Sequence, residues 1–223
     1  MDYWRDADFT VLIQAADTYA ELCNVKAAIL ARVPKGVDLI QAALPLVETT
    51  GNELISATGI NAVQTVLIVG AAGNVERSAV YTAKQGGPVV IGAVSKCQLD
   101  EAKTIGADQL VITDDDHAIA NLPMLDGVAD TVNSKADEKL FAKVKPGGAF
   151  ASVLEAPRNA EKHLTVEVVP VYAKPDAKAI QFMAEAVLDG KLVIPISRTS
   201  LSKAAEAQAA AEEGGIGKVL LIA

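Results

Sequence analysis

Residues 70–75 have the composition of a phosphate-binding turn. An apolar run, Thr65–Val69, ends at Gly70-Ala71-Ala72-Gly73, and a helical pattern follows from about Val75 to Gln85. Glycines at such a strand–helix junction let a pyrophosphate approach the backbone N–H groups at the helix N-terminus. The pattern predicts a dinucleotide contact formed by Gly70, Ala72, Gly73, Asn74 and Val75. The alternative, a tight turn that binds no ligand, stays open.

The next position departs from the dinucleotide fingerprint. The fingerprint has a third small residue, which lets the helix pack closely against the strand, and Glu76 stands there instead. A carboxylate beside a pyrophosphate is repulsive, although a glutamate also suits the positive end of its own helix. Arg77 is adjacent, and we expect it to neutralise part of this charge.

The end of the second predicted strand carries a hydroxyl and an amine. The chain reads Ala93-Val94-Ser95-Lys96 where a protein that binds NAD has an acidic residue for the ribose 2′-hydroxyl. Ser95 and Lys96 are groups that can bind a 2′-phosphate, so the pattern favours NADP over NAD. A solvated turn lysine is the alternative interpretation.

Two further candidate binding residues stand at the end of the fourth predicted strand. Open α/β sheets bind ligands where their strands end, which singles out Val132 and Asn133. An ordinary turn asparagine is an equally consistent interpretation of Asn133.

The chain has two cysteines and two histidines, which are Cys23, Cys97, His117 and His163. No cysteine and histidine among them stand at the spacing of zinc ligands, so we expect no structural zinc site.

These candidates require a sheet whose strands all end at one edge. After residues 65–69, the pattern predicts strands at 89–94, 109–113, 128–132 and 149–154 with helices between them. This alternation indicates a parallel sheet with right-handed crossovers, which is a Rossmann-type doubly wound α/β fold. Residues 164–172 predict a sixth strand, at an edge because Pro170 interrupts it. Later elements are predicted at 176–188 (helix), 193–197 (strand), 202–212 (helix) and 219–222 (strand).

Composition sets the class of protein. Of the 223 residues 51% are apolar, which suffices for a buried core, and the formal net charge is -8. The excess of 28 acidic over 20 basic residues argues against a protein that binds a nucleic-acid backbone. No apolar run reaches the roughly 18 residues of a membrane span. We expect a cytoplasmic protein, because two cysteines form no disulfide framework and the N-terminus has no apolar signal segment.

Several segments together resemble one known family. They are Gln64-Thr65-Val66-Leu67-Ile68-Val69-Gly70-Ala71-Ala72-Gly73, Ile105-Gly106-Ala107-Asp108, Val144-Lys145-Pro146-Gly147-Gly148 and Asp189-Gly190-Lys191-Leu192. In this order, over roughly residues 15 to 223, the chain resembles the medium-chain dehydrogenase/reductase superfamily. It is most similar to the zinc-free quinone oxidoreductase (zeta-crystallin-like) branch.

The resemblance implies an activity, a cofactor and an assembly. It implies NADPH-dependent hydride transfer to a small quinone or enone without a metal, in a homodimer. It also places Thr50 near the nicotinamide, whereas the local sequence equally suits a helix N-cap ahead of Glu53. The lysine that the family often uses on the adenosine phosphate aligns with Gln98, two residues from Lys96.

The resemblance also divides the chain into domains. It implies a remnant of a GroES-like catalytic domain at residues 1–48, a Rossmann domain at 49–190 and a returning segment at 191–223. Most of the family's N-terminal catalytic domain has no counterpart here. A second hypothesis is therefore a binding or interaction module on the same scaffold that has lost catalysis, since a fold does not determine a function.

Overall fold

The computed structural model describes residues 9–11, 20, 30–33, 40, 43, 45–172, 176–213 and 217–222. The chain divides into two compact units, Thr50–Ala173 and Met1–Thr49 with Lys174–Ala223. The domain limits expected from the resemblance stay a prediction. Cys23 and most of the remnant domain expected at residues 1–48 lie outside the described residues.

The described helices and strands alternate through most of the chain. In order they are β1 (Phe9–Val11), β2 (Leu30–Arg32), α1 (Pro45–Thr58), β3 (Thr65–Val69), α2 (Asn74–Gly86), β4 (Val89–Val94), α3 (Leu99–Ala102), β5 (Gln109–Ile112), α4 (Asp116–Ala120), β6 (Leu125–Asp130), α5 (Asp137–Phe141), β7 (Val144–Ser152), β8 (Glu167–Pro170), α6 (Ala177–Leu188), β9 (Ile196–Ser200), α7 (Ala204–Glu213) and β10 (Lys218–Ile222). None of the described helices is both long and apolar enough to cross a bilayer.

The larger unit contains a six-stranded sheet in the order β5-β4-β3-β6-β7-β8, with every neighbouring pair parallel. This is the strand order of the doubly wound dinucleotide-binding fold, so the predicted fold class is confirmed. Strand β8 lies at an edge, as predicted. The chain crosses from one half of the sheet to the other between β3 and β6, and ligands in such sheets bind at that crossing.

Two apolar layers cover the two faces of this sheet. Val66 and Ile68 pack on one face with α1 and α2, whereas Leu67 and Val69 pack on the other. Successive residues of a strand point to opposite faces, so a strand covered on both sides must be apolar throughout. On the second face, the rings of Phe141 and Phe150 have centroids 5.3 Å apart.

Two carboxylates hold the amino ends of the strands. Asp108 accepts hydrogen bonds from the Val90 N–H at 2.8 Å and from Lys84 Nζ at 2.6 Å. Asp126 accepts hydrogen bonds from the Thr65 N–H at 2.9 Å and from Lys145 Nζ at 2.8 Å. The lysine and backbone bonds keep the pKa of Asp108 below its usual value. Burial by itself would raise the pKa of Asp126. The hydrogen bonds from Lys145 and Thr65 outweigh burial, so the pKa of Asp126 still lies below its usual value.

Several predicted boundaries were wrong, and three strands show the physical reasons. Strand β6 ends at Asp130 rather than residue 132, because the Asp130 carboxylate accepts the Val132 N–H and turns the chain. Strand β7 already begins at Val144, and the Gly147 turn (φ 80°) fits inside it through a shift of register against β6. Strand β9 covers 196–200 rather than 193–197. Its preceding apolar residues, Leu192 and Ile194, are buried without belonging to the strand.

The smaller unit is described by two strand pairs and two helices. Strands β1 and β2 are antiparallel, and β9 pairs with β10 in parallel. Helix α6 begins after Asp176, whose carboxylate accepts the N–H groups of Lys178 and Ala179. The helix predicted at 176–188 is confirmed, and the residues at 180, 183, 184 and 187 form a buried face along it.

We expect Gly51→Ala to destabilise the larger unit. A Cβ at Gly51 would overlap Ser78 Oγ and would stand 2.6 Å from the backbone nitrogen of Ala79, so α1 and α2 would have to separate. Overpacking of this kind costs about 1–3 kcal/mol, which exceeds the roughly 1 kcal/mol that alanine gains over glycine within a helix. Urea denaturation of the variant measures the difference.

Gly86→Ala is the matched control. It also lies in a helix, but its added Cβ would meet only Pro88 Cδ, at an ordinary 3.6 Å. We expect its urea midpoint to be unchanged or slightly raised. Equal midpoints for Gly51→Ala and the wild-type protein would contradict the close approach of the two helices.

Candidate functional site

The glycine turn is fixed by the neighbouring strand. The N–H groups of Gly70 and Ala71 both donate to the carbonyl oxygen of Ala93, at 2.8 and 3.1 Å, and the Gly73 N–H donates to the Gly70 carbonyl at 2.7 Å. Gly70 has φ 74°, and a Cβ there would overlap Val132 Cγ2. Glycine is required at this position for both reasons. The turn therefore has the tight shape that the sequence predicts.

Helix α2 begins at Asn74, directly after the turn. Its N-cap, Gly73, provides no side-chain hydrogen bond to the first N–H groups of the helix. Uncapped N–H groups and the positive end of the helix dipole attract an anion. The backbone of Gly73, Asn74 and Val75 is thus suited to a phosphate.

The Glu76 side chain lies over this turn. Its Oε2 lies 2.2 Å from the position that a Cβ on Gly73 would take, and its Oε1 lies 3.7 Å from the corresponding position on Gly70. Glu76 is 6% exposed, and its carboxylate accepts a hydrogen bond from the Glu76 N–H. A buried carboxyl group therefore lies directly over the predicted phosphate-binding turn.

Arg77 is committed to other partners. Its Nε donates to the Ala72 carbonyl at 2.9 Å, and its guanidinium forms an ion pair with Glu101. Arg77 itself is buried, whereas the Glu101 side chain is 49% exposed. The charge of Arg77 is thus shared with Glu101, and the neutralisation of Glu76 expected from the sequence stays a prediction.

Two more carboxyl groups are buried near the end of β6. Asp130 accepts hydrogen bonds from the Val132 N–H at 3.0 Å and from the Ser152 hydroxyl at 3.2 Å. Asp137 accepts one from the Ser134 hydroxyl at 2.6 Å. Both side chains are almost fully buried. The carboxyl edge of the sheet therefore holds three acids with hydrogen-bonded but desolvated carboxyl groups.

Burial raises the pKa of all three acids. It raises the pKa of Glu76 to about 7, against its own backbone hydrogen bond, and the negative charge of Asp130 adds to the increase. Burial also raises the pKa of Asp137 to about 6, opposed by Ser134 and reinforced by Asp130. The pKa of Asp130 is raised by burial despite its hydrogen bonds. Raised pKa values are typical of functional sites, and Glu76 changes charge near neutral pH.

Of the two candidate residues after β6, Asn133 borders a polar cavity and Val132 does not. Val132 is exposed, and Asn133 has φ 51°, the one positive φ of a non-glycine residue in the described part of the chain. The cavity has a volume of about 400 Å³ and is lined by Asn133, Ser134, Lys135, Asp137, Glu138, Pro157 and Arg158. It contains both cationic and acidic groups, so a polar part of a ligand suits it better than an apolar ring.

Ser95 and Lys96 lie just after β4, on the same edge as the glycine turn. Lys96 is exposed and begins a short 3-10 helix, Lys96–Gln98. The Ser95 hydroxyl donates to the Gln98 side-chain oxygen at 2.8 Å and lies 3.1 Å from Cys97 Sγ. Lys96 thus follows a serine whose hydroxyl is bonded to a side chain of the same short helix.

Thr50 lies within α1 and is half-buried. The alternative of a helix N-cap is wrong, because α1 begins five residues earlier, at Pro45. The part of the chain that the structure describes contains no group of three histidine, cysteine, aspartate or glutamate residues that could hold a metal ion.

Sequence reasoning missed Asp130 and Asp137 as site residues. The predicted fourth strand extended to residue 132, which placed Asp130 inside the strand instead of at its end. The signal was a charged residue that closes the buried run Val128-Ala129. Asp137 was expected only as the first residue of a helix, which it is.

Comparison with known proteins identifies what the chain is similar to. A family model described as "Zinc-binding dehydrogenase" matches residues 105–221, just over half of the chain. The quinone oxidoreductase from Coxiella burnetii is 27% identical with a TM-score of 0.76, over 85% of this chain and 62% of that one.

Two further solved structures share the fold. One described as an NAD-dependent alcohol dehydrogenase is 24% identical, with a TM-score of 0.76 over 92% of this chain and 65% of that one. The CurK enoyl reductase is 19% identical, with a TM-score of 0.70 over 85% of this chain and 64% of that one. The chain thus spans less than two thirds of the length of each of these three structures.

We expect Glu76→Gln to stabilise the protein more at pH 8 than at pH 5. A carboxyl group with a pKa of about 7 when folded and 4.5 in its unperturbed state makes the folded state less stable as the pH rises through this interval. Between the two pKa values the folded state loses about 3 kcal/mol of stability in total. About 2–3 kcal/mol of this loss falls between pH 5 and pH 8. Glutamine has the same shape and does not ionise.

Urea denaturation at both pH values measures this effect. The exposed Glu161 provides the control, because Glu161→Gln removes a carboxylate without changing a buried site. A stability difference between Glu76→Gln and the wild-type protein that is constant with pH would show that burial does not raise the pKa of Glu76.

Proposed function

The chain belongs to the zinc-binding dehydrogenase family, and from this premise we propose that it is an oxidoreductase that binds NADPH and reduces a quinone or an enone. The observation that carries the proposal is the glycine turn at the crossing point between β3 and β6. The similarity to a quinone oxidoreductase supports the choice of substrate class.

Each predicted site residue has a role in this proposal. Gly70, Ala72, Gly73, Asn74 and Val75 would contact the pyrophosphate. Ser95 and Lys96 would bind the 2′-phosphate, and Thr50, Val132 and Asn133 would surround the nicotinamide ribose. A bound nicotinamide supplies the hydride, and the chain's residues bind it, orient it and exclude water.

We propose that this reaction does not use zinc. The described residues offer no suitable ligand group, and the whole chain has only two cysteines and two histidines. The family name alone does not supply the ligands, since catalytic zinc requires three protein side chains. The small number of cysteines also suits a reducing compartment, and we propose the cytoplasm.

A binding module without catalysis is the second candidate. The position of Glu76 favours it, because the carboxylate lies over the glycine turn. Titration with NADPH, followed by an assay of NADPH oxidation with a quinone, separates the two candidates. Binding with turnover supports the oxidoreductase, and absence of turnover despite binding supports the module.

We expect the protein to bind NADPH more tightly than NADH, and Lys96→Ala to weaken NADPH binding about tenfold. A charge-assisted hydrogen bond to a phosphate contributes about 1.5 kcal/mol, which corresponds to that factor. NADH has no 2′-phosphate, so its affinity should not change. Calorimetric titration at about pH 6, where Glu76 is mostly neutral, gives both affinities.

Lys103→Ala is the matched control for Lys96. Lys103 is another exposed lysine, and it pairs with Asp100 at 2.7 Å. Its substitution should leave both affinities unchanged. Tighter binding of NADH than NADPH, unaffected by Lys96→Ala, would contradict the assignment of the 2′-phosphate site.

We propose a homodimer that forms through the edge of the sheet. Among the described strands, β8 pairs with β7 on one side and with none on the other. An uncovered edge can pair with a second copy, and two-fold symmetry is the commonest solution. Leu164 and Tyr172, which flank β8, are 88% and 74% exposed. Light scattering at micromolar concentration should give the dimer mass, and a monomer mass would contradict the proposal.

A further inference from the structure

We propose that Glu76 controls access to the glycine turn, so that a dinucleotide pyrophosphate binds together with one proton that Glu76 takes up from solvent. The inference rests on the proposed nucleotide-binding function and extends it to the regulation of the same site. It makes Glu76 a specificity-determining residue, because the turn then distinguishes ligands by charge.

The first argument is that the Glu76 carboxylate lies over the glycine turn and accepts one of its hydrogen-bond donors. Glu76 Oε2 lies 2.2 Å from where a Cβ on Gly73 would stand. The carboxylate also accepts the Glu76 N–H, one of the N–H groups at the start of α2. Helix N-terminal N–H groups of this kind are the donors that hold a phosphate. The side chain thus acts as an internal substitute for the anion.

The second argument is the charge that surrounds Glu76. Asp130, at the end of β6, adds negative charge on the side of the crossing point. Arg77, the next residue of α2, pairs with Glu101, and Asp130 interacts with Asp137 in turn. An ionised Glu76 would therefore face a pyrophosphate with a second buried carboxyl group, Asp130, acting on the same site.

The third argument is that protonation of Glu76 removes this repulsion and requires little free energy near neutral pH. The pKa of Glu76 is about 7, so its neutral form is well populated near neutral pH. A protonated carboxyl group loses its charge and gains an O–H that can donate to a phosphate oxygen. The same group then changes from a competitor of the pyrophosphate into a partner.

Calorimetric titration with ADP-ribose tests the inference. ADP-ribose carries the pyrophosphate but no phosphate monoester, whose own pKa near 6 would add protons to the measurement. If only the neutral form of Glu76 admits the ligand, affinity should be about tenfold weaker at pH 8 than at pH 6. Titrations at pH 8 in two buffers with different heats of ionisation should give an uptake close to one proton.

Two variants separate charge from volume. Glu76→Gln keeps the shape, and should bind ADP-ribose at pH 8 about as tightly as the wild-type protein does at pH 6, without proton uptake. Glu76→Gly removes the side chain and should also lose the pH dependence. Glu161→Gln, at an exposed site, should behave as the wild-type protein. Circular dichroism establishes that each variant is folded.

The outcomes distinguish this inference from the function on which it rests. Wild-type binding that is independent of pH and takes up no proton overturns the inference and leaves nucleotide binding intact. Binding by Glu76→Gly alone shows that the volume of the side chain excludes the ligand, which also overturns proton-linked binding. No binding by the wild-type protein or either Glu76 variant at any pH overturns both the inference and the nucleotide site.

Discussion

The carbonyl oxygen of Ala93 anchors the glycine turn at the carboxyl edge of the sheet. It accepts the N–H groups of Gly70 and Ala71, and thereby ties the end of β4 to the turn that follows β3. Helix α2 begins directly after this turn, so the turn sets the backbone position of Glu76 in the first turn of α2. The glycine turn and the carboxyl group that lies over it are thus neighbours in one local structure.

The sequence predicted the scaffold better than it predicted the site. Apolar runs such as Thr65–Val69 define buried parallel strands, because both faces of the sheet must be covered. The glycine turn is equally local, since its shape needs Gly70 at a positive φ. The raised pKa of Glu76 depends instead on burial and on Asp130, which is 54 positions away in the chain and joins the site only through the pairing of β3 with β6.

The errors in the predicted boundaries have a related cause. A period-two apolar pattern does not reveal where a strand stops pairing, so Val132 was assigned to β6 although the Asp130 carboxylate turns the chain before it. The strand predicted at 149–154 began only after Pro146, Gly147 and Gly148. A shift of register against β6 lets β7 include these three residues. In both places a hydrogen bond or a pairing between distant segments decided the outcome, and single-sequence patterns do not contain that information.

The carboxylates at the two edges of the sheet titrate in opposite directions. At the amino edge, Asp108 and Asp126 have lysine partners and backbone donors, and their pKa values are lowered. At the carboxyl edge, desolvation dominates at Glu76 and Asp137, and their pKa values are raised. The first pair stabilises the fold in its ionised form, whereas ionisation of the second pair opposes folding. Because the stabilising contacts lie at the edge opposite the glycine turn, the acids of the carboxyl edge can change charge without removing the hydrogen bonds that hold the amino ends of the strands.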